Sequence, residues 1–190
     1  MKIHSLSTRF LLIIFSFFII TAGFSTIWLL VEVNSMVHDL GRGFAMERAK
    51  AAKIRIALSV EREAALALKL ADSPTIKRWI LNEENERLKD EAFEELQSYR
   101  EAFTDDNYFI IVDESKHYYN KISGEPLVIS TLSRREPLDQ WYFQTIAENR
   151  DISFNLDYNR SIKRSRVWIN CIVRHKGEII GMAGTGMEIT

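Results

Sequence analysis

Cysteine is almost absent from this sequence. Cys171 is the only one in 190 residues, so an intrachain disulfide is impossible and a thiolate metal site has no second ligand of its kind. Within "VWINCIV" the lone thiol reads as a small buried hydrophobe. A surplus of either charge is missing too, since 25 lysines and arginines face 26 acidic residues. With no arginine-rich tract and no zinc finger, nothing recommends a nucleic-acid partner. The four histidines, His4, His38, His117 and His175, show no paired metal-ligand spacing. No Gly-x-Ser-x-Gly elbow and no Gly-Lys-Ser/Thr phosphate loop is present, and Asp105-Asp106 sits at a turn, where acids serve as caps. These absences argue against catalysis by this segment, and no cofactor is implied.

What is present begins at the N-terminus. "FLLIIFSFFIITAGFSTIWLLV" carries 22 residues without a charge, enough at 1.5 Å per residue to cross a bilayer core of about 30 Å. A cleaved secretory signal would want an apolar core of roughly 7–15 residues and a small-x-small cleavage site; neither is evident. Lys2, His4 and Arg9 precede the span, and Glu32 and Asp39 follow it. The positive-inside rule then places residues 1–9 in the cytoplasm, a transmembrane helix at 10–33, and the rest outside the inner membrane, which in a bacterium is the periplasm. Trp28 suits an interfacial anchor.

From Met36 to Ala71 there is no proline, and alanine, leucine, lysine, arginine and glutamate dominate, which predicts a long helix over 34–72. Val37, Leu40, Phe44, Ile54, Leu58, Ala65 and Leu68 thread at helical spacings, so one face can pack on its own domain or on a second copy as a homodimer. Gly41 and Gly43 would loosen the helix, each costing about 1 kcal/mol. Ser73-Pro74 starts a short helix to about Leu81, and Asn82 is a candidate cap for a charged helix that buries Leu88, Phe93, Leu96 and Phe103.

After Asn107 the period changes to that of strands. "YFIIV" and "HYYN" form a hairpin followed by a loop, "EPLDQWYFQTIAEN" a helix, and "ISFNLDY", "RVWINCIVRH" and "EIIGMAGTGMEI" three further strands. The order predicts an α+β domain with a five-stranded antiparallel sheet, one face on the long helix and the other closed by the 136–149 helix and loops. A small sheet so covered leaves a concave pocket, the usual place for a small ligand.

This succession, with "YFIIVD", "DQWYFQTI", "NLDYN", "VWINCIV" and "GEIIGMAGTGMEI", resembles the membrane-distal half of a double-Cache sensor, the PAS-like extracytoplasmic module of bacterial chemoreceptors, histidine kinases and diguanylate cyclases. The resemblance covers residues 10–190 and implies a Cache module over 73–190 that binds a small polar ligand, with a second module, a second span and an output domain beyond this sequence.

By that resemblance the "WY" helix and the loop before it line the pocket, making Trp141 and Tyr142 the first candidates. The amino-acid-sensing branch adds an arginine two places before the tryptophan and an aspartate in the last strand. Here Asp139 and Gly186 stand at those places, so both halves of an α-amino-acid clamp are missing. Arg134 and Arg135 could face an anion, and Asp139 and Asp157 a cation. Side chains alternate along a strand: Ser153, Asn155 and Asp157 share one face, Phe154, Leu156 and Tyr158 the other. Trp168 beside Asn170 is the more pocket-like face of its strand, and of Tyr118 and Tyr119, which point oppositely, Tyr119 is taken. The competing reading is an interaction module with no small-molecule site, docking a periplasmic binding protein or holding a receptor dimer.

Overall fold

The computed structural model describes residues 6–159 and 164–189. Lys2 and His4, and residues 160–163 between "ISFNLDY" and "RVWINCIVRH", lie outside the described residues. The chain divides into two units, Met1–Ile54 and Arg55–Thr190.

The described residues of the first unit are helical throughout. Helix α1 (Leu6–Asp72) is uninterrupted and runs through Gly41 and Gly43 without the expected loosening. Two exposed glycines cost about 1 kcal/mol each, too little to break a helix rich in alanine, leucine and glutamate around them. Its N-terminal part is long and apolar enough to cross a membrane.

In the second unit, α1 ends on the domain core through Glu63, Ala67, Leu70 and Ala71, all buried, a stripe at i, i+4, i+7 and i+8. The stripe threaded from the sequence is a different one: Val37, Leu40, Phe44, Ile54, Leu58, Ala65 and Leu68 are all exposed in the single chain. Glu63 is tolerated inside because its carboxylate is fully engaged. It accepts from Arg62 Nη1 at 2.6 Å and Thr104 Oγ1 at 2.8 Å.

Helix α2 (Pro74–Ile80) begins as its sequence dictates, with Ser73 Oγ accepting from the Ile76 amide and Pro74 at the first position. Helix α3 (Glu86–Ala102) is capped by Asn85, whose side chain accepts from the Leu88 amide at 3.1 Å, and not by Asn82. Asn82 lies in the turn after α2, where its side chain donates to the Arg78 carbonyl.

Strands β1 (Tyr108–Val112), β2 (His117–Lys121), β3 (Val128–Thr131), β4 (Ile152–Asn159), β5 (Arg164–His175) and β6 (Glu178–Ile189) form one antiparallel sheet in the order β3-β2-β1-β6-β5-β4. The sheet therefore has six strands where five are expected. The additional one, β3, is a four-residue edge strand exposed along its whole length, so it lacks the half-buried alternation that identifies a strand in sequence.

One face of the sheet packs on the helices. Ile110, Val112, Ile169, Cys171, Val173 and Ala183 meet Ala67, Leu70, Ile76, Trp79 and Leu96. Trp79 stands edge-on to Phe93 at 5.3 Å and to Tyr119 at 5.1 Å, the geometry that ring quadrupoles favour. The other face carries Phe109, Ile111 and Met182 and is partly closed by α4 (Gln140–Glu148), entered through a 3-10 turn at Pro137–Asp139.

Candidate functional site

Helix α4 settles the roles of its paired aromatics. Tyr142 is fully buried against Phe109, Ile111 and Met182, and its Oη donates to Asp113 Oδ1 at 2.5 Å. Burial and that carboxylate together push its phenol far above the ordinary tyrosine value. Trp141, about 100° around the helix, is only half-buried and turns toward open space over the sheet.

That space is a cavity of ≈ 340 Å³, within the size range of small-ligand sites. Among the described residues its aromatic lining is Phe109, Tyr118, Trp141 and Trp168, and its polar lining is Asn155, Asp157 and Asn170. The rings stand steeply to one another. Phe109 meets Tyr118, Trp141 and Trp168 at centroid distances of 6.0, 6.0 and 6.2 Å, with interplanar angles of 70°, 84° and 65°.

Register explains the grouping. Asn155 lies opposite Trp168, which lies opposite Gly186; Ser153 lies opposite Asn170, which lies opposite Gly184, which lies opposite Phe109. These rows point to one face of the sheet. The two glycines make room for the rings: a Cβ at Gly184 would come within 2.5 Å of Phe109 Cζ, and one at Gly186 within 2.8 Å of Trp168 Cε3 and Cζ3. The Gly186 backbone is pinned by Asn107, which donates through Nδ2 to the Gly186 carbonyl and accepts its amide at Oδ1, both at 2.7 Å. Sequence reading missed Asn107, since an Asp-Asp-Asn turn carries no sign of a partner 79 residues away.

Asn170 is 1% exposed and its Nδ2 has no hydrogen-bond partner; Ser153 Oγ, directly opposite, is likewise buried and unpartnered. An unpaired buried polar atom costs about 1–3 kcal/mol, so the Asn170 amide in the cavity lining marks a place where another molecule can complete the bonding. Asp157 makes no hydrogen bond or ion pair among the described residues. Its register partner Arg166 is engaged by Glu188 Oε1 at 3.3 Å and lies 5.4 Å over the Trp168 ring.

Of the residues singled out from the sequence, Trp141, Asn155, Asp157, Trp168 and Asn170 are brought together around the cavity. The other five lie elsewhere. Tyr142 packs beneath α4. Asp139 accepts the Ser133 amide at 2.7 Å and closes the loop before the helix. Arg134 is exposed, 4.5 Å over the Phe143 ring, and Arg135 is exposed. Tyr119 points to the helix-covered face, donating to Glu83 Oε1 at 2.7 Å, and Tyr118 takes the cavity position instead. Burial opposes ionisation of Glu83, but hydrogen bonds from Ser115, Tyr119 and His117 outweigh it and hold the carboxyl below its ordinary value. Among the described residues no group of histidine, cysteine and carboxylate side chains is placed to hold a metal.

No family model matches the chain. Solved structures similar to it include the sensory domain of the Campylobacter jejuni chemoreceptor Tlp3 with isoleucine bound, at TM-score 0.50 and 15% identity over 74% of this chain and 55% of that one. The ligand-binding domain of the same receptor in complex with L-valine gives TM-score 0.50 and 15% identity over 74% and 56%. Methyl-accepting chemotaxis protein X gives TM-score 0.51 and 19% identity over 80% and 64%. The chain thus has the fold of chemoreceptor sensory domains, the Cache, PAS-like architecture, and spans between 55% and 64% of the length of these three relatives.

Proposed function

We propose that this chain is the ligand-sensing portion of a bacterial transmembrane signal transducer of the chemoreceptor, histidine kinase or diguanylate cyclase type. In this reading residues 10–33 cross the inner membrane with the N-terminus in the cytoplasm, residues 34–72 carry the signal, and 73–190 form a periplasmic Cache module. The observation that carries it is the cavity walled by Phe109, Tyr118, Trp141 and Trp168, with the unpartnered Asn170 amide inside. A small polar molecule completes that bonding, and its binding energy biases α1 toward one of two arrangements. Moving such a balance from 1:99 to 99:1 takes about 5.5 kcal/mol of differential affinity. The exposed stripe of α1 through Val37, Leu40 and Phe44 suits pairing with a second copy, so the sensor acts as a homodimer.

The test is thermal unfolding of the 190-residue chain in detergent micelles against organic acids, amines, neutral polyols, purines and amino acids, with Trp141→Ala beside it. Ligand at 100 times its Kd adds about 2.7 kcal/mol, a rise of roughly 5–10 °C for a chain of this length. One class should shift the native chain saturably and leave the variant unmoved. Cooperative melting that no compound shifts would overturn direct sensing and favour the docking module.

A further inference from the structure

We propose that the cavity selects a small organic cation, an amine or quaternary ammonium that also carries a hydrogen-bond acceptor. This rests on the reading of the cavity as the ligand site and names the ligand's chemistry.

Four observations converge. Phe109, Tyr118, Trp141 and Trp168 form a box of steeply inclined rings, and ring faces attract cations held within about 6 Å, most strongly those of tryptophan. The only charged residue in the described lining is Asp157, whose carboxylate has no protein partner among the described residues. The neighbouring cation, Arg166, is paired with Glu188 and lies 5.4 Å over the Trp168 ring, and Arg134 and Arg135 are exposed elsewhere. An anion would therefore meet ring faces and a carboxylate and find no described cation in the lining. Finally, Asn170 Nδ2 is a buried, unpaired donor facing the cavity, which fixes where the ligand's acceptor goes.

The arrangement also explains what Gly186 does. A carboxylate at 186 would occupy the space of the Trp168 indole, which a Cβ there already meets at 2.8 Å. The carboxylate in the described lining stands on β4, at Asp157.

An isosteric series tests the proposal: choline, 3,3-dimethylbutan-1-ol and 3,3-dimethylbutanoate have nearly the same shape and carry positive, no and negative charge. Primary amines of two to eight carbons are titrated with their matching alcohols and carboxylates, following tryptophan fluorescence of the full chain in micelles. The expected result is saturable binding of at least one cation, tenfold or more tighter than its neutral isostere. Asp157→Asn should remove about that factor, the equivalent of one charge-assisted contact, without changing the melting temperature of the unliganded chain. Tighter binding of neutral or anionic members, or an unchanged cation Kd in Asp157→Asn, overturns the cation class while leaving the sensor reading in place. Failure of these compounds and of the wider screen above overturns both.

Discussion

The indole of Trp168 covers Gly186, its partner across the β5–β6 ladder, so closely that a Cβ at 186 would stand 2.8 Å from two of its ring carbons. A wall of the cavity thus exists because its neighbouring strand has no side chain at that point. Gly184 does the same for Phe109, more tightly still, since a Cβ there would also come within 2.1 Å of the Ile169 carbonyl.

This difference yields a first prediction. Gly186→Ala should cost about 1–3 kcal/mol, as overpacking does, and weaken ligand binding because Trp168 has to swing aside. Gly184→Ala should cost more, because a backbone carbonyl cannot move as a ring can. Denaturant midpoints measure both; equal, negligible losses would mean that the rings do not rest on these glycines.

Asn107 is the anchor of the same strand. Asn107→Leu leaves both polar groups of Gly186 without a partner, and a buried unpaired group costs about 1–3 kcal/mol. The variant should lose stability in that range per group, and hydrogen exchange should accelerate around residues 185–187. Unchanged exchange there would show that β6 is held without Asn107.

Much of the fold is legible in the sequence because its cause is local. "YFIIV" is a continuous apolar run flanked by turn residues, and Ser73-Pro74 is a helix start whose cap and ring need nothing beyond themselves. What escapes the sequence depends on distant chain. The edge strand β3 exists only through its pairing with β2. Whether Tyr118 or Tyr119 reaches the cavity is fixed by the register Ile111↔Tyr118, because a shift of one residue reverses every side chain. Trp141 and Tyr142 are separated in role by the Asp113 carboxylate, 29 residues away.

The two faces of the sheet should respond differently to the loss of a tryptophan. Trp79→Ala removes a fully buried ring from the helix-covered core and should cost about 3–5 kcal/mol. Trp141→Ala removes a half-buried cavity wall and should cost clearly less while abolishing ligand-induced stabilisation. A reversal of that order in urea denaturation would place the structural core on the wrong face.

Alkaline pH should unfold the domain through groups held neutral by burial. Burial pushes the Cys171 thiol from 9.0 up to about 12, and the Tyr118 phenol from 10.0 up to about 12. In both, the folded value lies above the unfolded one, so their contribution is whole below pH 9 and 10 respectively and is lost as pH rises toward 12. The urea midpoint should fall across that window. Cys171 should react with a thiol reagent at pH 8 only when urea is present; rapid labelling of the folded chain would contradict its burial.

Ligand that enters the cavity on the α4 side of the sheet is reported by the four tryptophans. Trp141 and Trp168 line the cavity, Trp79 lies in the opposite core, and Trp28 belongs to the apolar helix. With 5-fluorotryptophan in the full chain, fluorine NMR gives one resonance for each, assigned by single Trp→Phe substitutions. Titration with a compound that raises the melting temperature should move the Trp141 and Trp168 resonances saturably, with one Kd, and shift Trp79 and Trp28 far less. Movement confined to Trp79 or Trp28, with Trp141 and Trp168 unmoved at saturation, would contradict the assignment of this cavity as the sensor's binding site.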